Sequence, residues 1–224
     1  AFSGNKTVKT VKLPSTVTEI RYEAFSGCTS LSEITIPSSV TDIGKEAFAG
    51  TKWLSDKQKA NPYVVINGIL IDMSKAGTNL NIPATVKEIS CNVPKDVVSV
   101  TIPSSMTEID TDMFADCTSL KKITIPSSVT DIGAEAFSGC TSLTEITIPS
   151  SVIHIRWKAF LGCTSLTEIT IPSSVIDIEK ETFSGCTSLS KITIPSSVTN
   201  IGEEAFAGTK WLSDKQKANP YVVI

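Results

Sequence analysis

The sequence predicts an α/β repeat fold. The expected form is a right-handed solenoid with one parallel β-sheet face and short turns, 3₁₀ or α segments on the other. Three observations predict it. Proline recurs at Pro103, Pro126, Pro149, Pro172 and Pro195, always 23 residues apart, and Pro14 and Pro37 share that spacing. Around each proline the apolar residues keep fixed places: Leu143, Ile146, Ile148, Val152 and Ile155 are followed by Leu166, Ile169, Ile171, Val175 and Ile178. An aromatic and a thiol then recur together, as Phe137 with Cys140, Phe160 with Cys163 and Phe183 with Cys186. A coil this short cannot bury those positions alone, whereas stacked coils bury them in continuous rows. The right hand follows from the strong preference of parallel crossovers for that sense.

Each part of the coil has a physical reason. Ile146 and Ile148 alternate with Glu145 and Thr147, the pattern of a short strand with one face in and one out. Pro149 ends the strand because it lacks the N–H a ladder needs. Ser150-Ser151 begins a turn, and Val152 and Ile155 point inward from the opposite wall. The Ala159-Phe160-Leu161-Gly162-Cys163 piece is too short for a long helix. It reads as one turn of 3₁₀ or α-helix closed by glycine.

Bulk properties narrow the function classes. Hydrophobic residues make up 41% of the 224, enough for a sizeable core, and 19% charged residues argue against disorder. The net charge of −3, with lysines scattered, does not suit nucleic acid, which wants a clustered basic face. The longest apolar runs, Tyr63 to Ile66 and Ile69 to Ile71, are far too short to span a membrane.

The unit Leu-x-x-Ile-x-Ile-Pro-x-x-Val-x-x-Ile, followed by Ala-Phe-x-x-Cys, resembles the BspA-like leucine-rich repeats over nearly the whole chain. The resemblance implies a leucine-rich-repeat solenoid in a secreted or cell-surface protein. It implies adhesion to host matrix proteins, host cells or other microbes.

The repeats divide the chain into segments. Residues 1–50 are repeats, and 51–76 form a variant coil of helix plus β-hairpin. Residues 77–208 are repeats again, and 209–224 begin a second, truncated variant coil. In the first variant, Thr51 stands where the cysteine would be, and Lys52 to Ala60 reads as a short amphipathic helix capped by Thr51 or Ser55. Asn61-Pro62 stops it. Asn67-Gly68 between Tyr63–Ile66 and Ile69–Ile71 is a two-residue hairpin signal. Residues 201–224 repeat 43–66 with only Lys45 changed, to Glu203. Both ends cut through a repeat, so the expectation is a piece of a longer array.

Few residues suggest chemistry. Cys28, Cys117, Cys140, Cys163 and Cys186 share one register, which reads as a buried row of free thiols. Parallel side chains aim the same way and do not face one another for a disulfide. Cys91 lies off-register and is also expected free. His154 is the only histidine, so a catalytic triad has at most one base. It falls at a position taken by Asp131 and Asp177 in neighbouring coils, expected to be an exposed turn. Asp110 and Asp112 lack the further oxygen ligands of a calcium loop. Glu145 and Glu168 would stack as a carboxylate pair, but Lys122 and Lys191 flank them on what reads as a solvated face. No catalytic residue, metal site or cofactor is expected.

One coil differs from its siblings. Ile153, His154, Arg156, Trp157, Lys158 and Leu161 replace residues that are mostly small or acidic elsewhere. Trp157 aligns with Ala134 and Lys180. Large apolar groups at outward positions mark candidate interfaces, and the basic pair suggests an acidic partner. The leading functional reading is a non-catalytic binding or adhesion module with a protein or glycan ligand, host extracellular matrix among them, and with no nucleic acid. A structural spacer in a multi-modular surface protein is the alternative. A polysaccharide-cleaving solenoid enzyme is the third reading, disfavoured by the flat Thr/Ser-rich faces.

Overall fold

The computed structural model describes residues 2–218. It contains two compact units. The first comprises the residues up to Gly77 together with Pro83–Asn92, and the second Thr78–Ile82 together with the residues from Val93 onward. Each is a parallel stack of coils.

In the first unit, the three-residue strands Thr10–Lys12 and Glu33–Thr35 pair in parallel, with Val11 opposite Ile34. The two-residue strands Glu19–Ile20 and Asp42–Ile43 form a separate parallel pair. The variant coil follows. Its helix spans Lys52–Ala60, with the Thr51 hydroxyl accepting from the Leu54 N–H, so Thr51 and not Ser55 is the cap. Trp53 and Leu54 point inward, and Trp53 packs against Phe48 at 4.8 Å between ring centres. The hairpin joins Val64–Ile66 to Ile69–Asp72, antiparallel. Its turn has φ +52° at Asn67 and +90° at Gly68, the two left-handed residues that a tight primed turn requires. Ile69–Asp72 then pairs in parallel with Glu88–Ile89 and returns the chain to the repeat.

In the second unit, Asn79–Asn81, Ser99–Thr101 and Lys122–Thr124 form one parallel ladder, and Glu168–Thr170 with Lys191–Thr193 another. Residues 145–148 lie between these ladders in sequence but are not a strand. They keep the predicted alternation, with Ile146 and Ile148 buried and Glu145 and Thr147 exposed. Core burial holds them in place where ladder pairing does not.

The wall expected to carry turns alone has a second parallel ladder. Glu108–Ile109, Asp131–Ile132 and His154–Ile155 pair in register, and Asp177–Ile178 pairs with Asn200–Ile201. His154 is therefore a strand residue, not an exposed turn. The Phe segment also corrects the helical expectation, because it is a run of turns. Its N–H groups alternate between two destinations. Ala136, Ser138 and Cys140 donate three residues back within their own coil, while Glu135, Phe137 and Gly139 donate to Trp157, Ala159 and Leu161 of the next coil at 2.8–3.1 Å. A helix satisfies its donors internally. This segment spends half of them on its neighbour, which makes it a third line of bonding between coils. The price is a left-handed residue in each coil, among them Glu135 at φ +54° and Lys158 at φ +56°.

Side chains complete the stack. Phe114, Phe137, Phe160, Phe183 and Phe206 lie ring over ring at 5.3–5.6 Å, within 9° of parallel. The second serine of five Pro-Ser-Ser turns donates to a carbonyl of the previous coil, as Ser128 to Met106 at 2.7 Å and Ser151 to Val129 at 2.6 Å. All six cysteines are free. Cys140, Cys163 and Cys186 each donate Sγ–H to the carbonyl of the previous coil's phenylalanine, at 3.1–3.2 Å. The thiol is small enough for the core and still satisfies a buried acceptor. In the second variant coil, Lys210–Ala218 is the predicted helix; the rest of that coil, residues 219–224, lies outside the described residues.

Candidate functional site

The odd coil of the second unit stands where the two-residue ladder breaks. That ladder runs from Glu108–Ile109 to His154–Ile155 and does not continue to Asp177–Ile178. Side chains bridge the break instead. Arg156 lies between two neighbouring coils, 3.3 Å from Asp131 and 3.6 Å from Glu179. The Trp157 backbone N–H donates to the Glu179 carboxylate at 2.8 Å. Lys158 approaches Glu181 at 3.6 Å and places its ammonium 5.3 Å from the centre of the Trp157 ring. Trp157 is thus held at its backbone and along one flank, yet its side chain stays 44% exposed.

Arg156 and Trp157 form one wall of an open groove of 330 Å³. Glu108, Ile109, Asp110, Thr111, Asp131, Gly133 and Ala134 complete its lining. Gly133 is required there, since a Cβ would fall 2.6 Å from the Thr111 backbone nitrogen. Of the six residues singled out from the sequence, Arg156 and Trp157 meet in this groove. Lys158 joins them through the Trp157 ring, whereas Ile153, His154 and Leu161 do not line the groove. Ile153 and, in the next coil, Ile176 are exposed at 45% and 50%. His154 and Leu161 are half-buried, and Leu161 contributes a backbone carbonyl to the Gly139 N–H.

The charge differs from the sequence expectation. Arg156 and Lys158 read as a basic pair, but both are matched by carboxylates of adjacent coils. Sequence reasoning missed Glu108, Asp110 and Asp131 as groove residues. The register held the signal, because Glu108, Asp131 and His154 occupy one position in three successive coils.

The strand face carries an open cleft of 410 Å³ lined by Glu145–Ile148, Glu168–Thr170, Lys191 and Thr193, with no aromatic side chain. Glu168 and Lys191 pair at 2.9 Å on exposed side chains, a surface ion pair of little energetic weight. Among the described residues, no three His, Cys, Asp or Glu side chains converge on a metal position, and no helix is long and apolar enough to cross a membrane.

A family model described as the BspA type leucine-rich repeat region matches in six copies, over residues 1–97 and 90–213. No curated protein matches the chain. Among solved structures, the chain is similar to a leucine-rich cell surface protein of Faecalibacterium prausnitzii A2-165. Identity is 28% and the TM-score 0.53, with 86% of this chain and 61% of that one covered. It is also similar to the leucine-rich repeat protein of T. pallidum, at 26% identity and TM-score 0.49, covering 95% of this chain and 83% of that one. The pneumococcal vaccine antigen PcpA shares the fold at 18% identity and TM-score 0.51, covering 95% and 65%. The chain spans less than two thirds of both the F. prausnitzii protein and PcpA. With its repeats matched along most of its length, the chain belongs to the BspA type leucine-rich repeat family.

Proposed function

We propose that this chain is a non-catalytic binding module of a cell-surface or secreted protein, and that its right-handed solenoid presents Trp157 and its surroundings to a protein or glycan ligand. The observation that carries this reading is Trp157 itself. A tryptophan held in place by Glu179 and Lys158 but left 44% exposed is pre-organised for contact, and little entropy is lost when it is covered. Family membership supports a binding role, and the F. prausnitzii relative, described as a cell surface protein, supports the location. Host extracellular matrix proteins and surface glycans are the first ligands to try. In a pull-down on immobilised matrix proteins and glycans, the chain is expected to be retained by at least one of them. Retention by none would remove the adhesion reading and leave the spacer.

A further inference from the structure

The groove beside Trp157 has a charge that selects its occupant. Three carboxylates, Glu108, Asp110 and Asp131, line it against a single guanidinium, that of Arg156. That guanidinium is already shared between Asp131 and Glu179. Lys158, the other cation of the coil, is matched by Glu181. Glu108 is exposed. The aromatic wall has the same preference, because the Lys158 ammonium already lies within cation–π range of the Trp157 ring. A basic residue arriving in the groove would meet carboxylates for its charge and an indole for its aliphatic stem. An acidic residue would meet like charge, which costs affinity.

We propose that the groove takes an arginine or lysine side chain from an extended segment of a partner protein. The cationic head would lie towards Glu108, and the stem against Trp157. The proposal rests on the reading of the Trp157 surface as the binding surface, and it reverses the acidic partner that the sequence alone suggests. It also separates this surface from the strand face. There, Glu168 and Lys191 neutralise each other and no aromatic side chain lines the cleft formed by Glu145–Ile148 and its neighbours.

The test is calorimetric titration with three probes: tetra-arginine, tetra-glutamate and maltotetraose. Each is titrated into the wild-type chain, into Glu108→Gln and Trp157→Ala, and into Glu33→Gln. Glu33, an exposed strand residue of the first unit, controls for general attraction to an acidic protein. Circular dichroism of each variant verifies folding. Tetra-arginine is expected to bind the wild type, to weaken about tenfold in Glu108→Gln and Trp157→Ala, and to be unchanged by Glu33→Gln. Binding that weakens equally in all three variants, or preferential binding of tetra-glutamate or maltotetraose, would overturn the proposal, as would no binding of tetra-arginine. The two readings fail differently. If Trp157→Ala abolishes capture of a protein ligand while Glu108→Gln and excess tetra-arginine leave capture untouched, the surface stands and the cationic occupant is wrong. If Trp157→Ala captures every ligand as the wild type does, the surface itself is wrong.

Discussion

At the scale of single residues, each coil is held by side chains whose positions the period sets. Phe160 is fully buried between Phe137 and Phe183, with ring centres 5.3 and 5.4 Å away. Phe160→Ala should therefore destabilise the chain by about 3–5 kcal/mol in urea unfolding, the usual cost of deleting a buried aromatic. A loss under about 0.5 kcal/mol would mean the stack contributes nothing. The thiols give a pH signature. Burial pushes the Cys140 thiol up to about 12 and the Cys117 thiol up to about 11, from an ordinary value of 9.0. The folded chain keeps these protons where the unfolded chain releases them. Their contribution is complete below pH 9 and is lost as pH rises from 9 towards 12. The urea midpoint should fall over that window, and Cys117→Ala with Cys140→Ala should flatten the fall. In native protein at pH 8 the two thiols should resist a thiol reagent that labels them in denaturant. An alkaline profile unaltered by the double variant would contradict the burial argument.

At the scale of elements, the variant coil shows how one threonine replaces a cysteine and starts a helix. The Thr51 hydroxyl donates to the Phe48 carbonyl at 2.8 Å and accepts from the Leu54 N–H at 3.1 Å. Thr51→Ala removes the cap and one of the two hydrogen bonds to the Phe48 carbonyl, which keeps the Thr51 backbone N–H at 3.1 Å, so it should cost about 1–2 kcal/mol. Thr51→Ser should recover most of the loss, and equal losses in both variants would show that the hydroxyl is not the cause. The helix and hairpin were legible because their signals are local: Thr51 before an amphipathic run, Asn61-Pro62 as a stop, Asn67-Gly68 as a turn. The three bonding lines between coils were only partly so. Alternating Ile146 and Ile148 announced the strand wall, but nothing in Asp131-Ile132 announces a strand of two residues. Glu135 at positive φ was illegible because glutamate has no preference for that region. The break at residues 145–148 was equally hidden, since Thr144 to Pro149 repeats Thr167 to Pro172 letter for letter.

At the scale of the molecule, the coils form a scaffold on which surface residues vary at little cost in stability. Trp157 uses that freedom, because Ala134 and Lys180 fill its position in adjacent coils without disturbing the core. Trp157 itself was legible as an outlier in an otherwise regular column. The groove was not, because its charge depends on which carboxylates of other coils reach Arg156 and Lys158. The most direct test of the binding account compares Trp157→Ala with the wild type on a ligand retained in the pull-down, measuring affinity and urea midpoint together. Binding should weaken by about 2 kcal/mol or more while stability stays within about 0.5 kcal/mol. Unchanged affinity would contradict the account, and so would a loss of binding that merely follows unfolding.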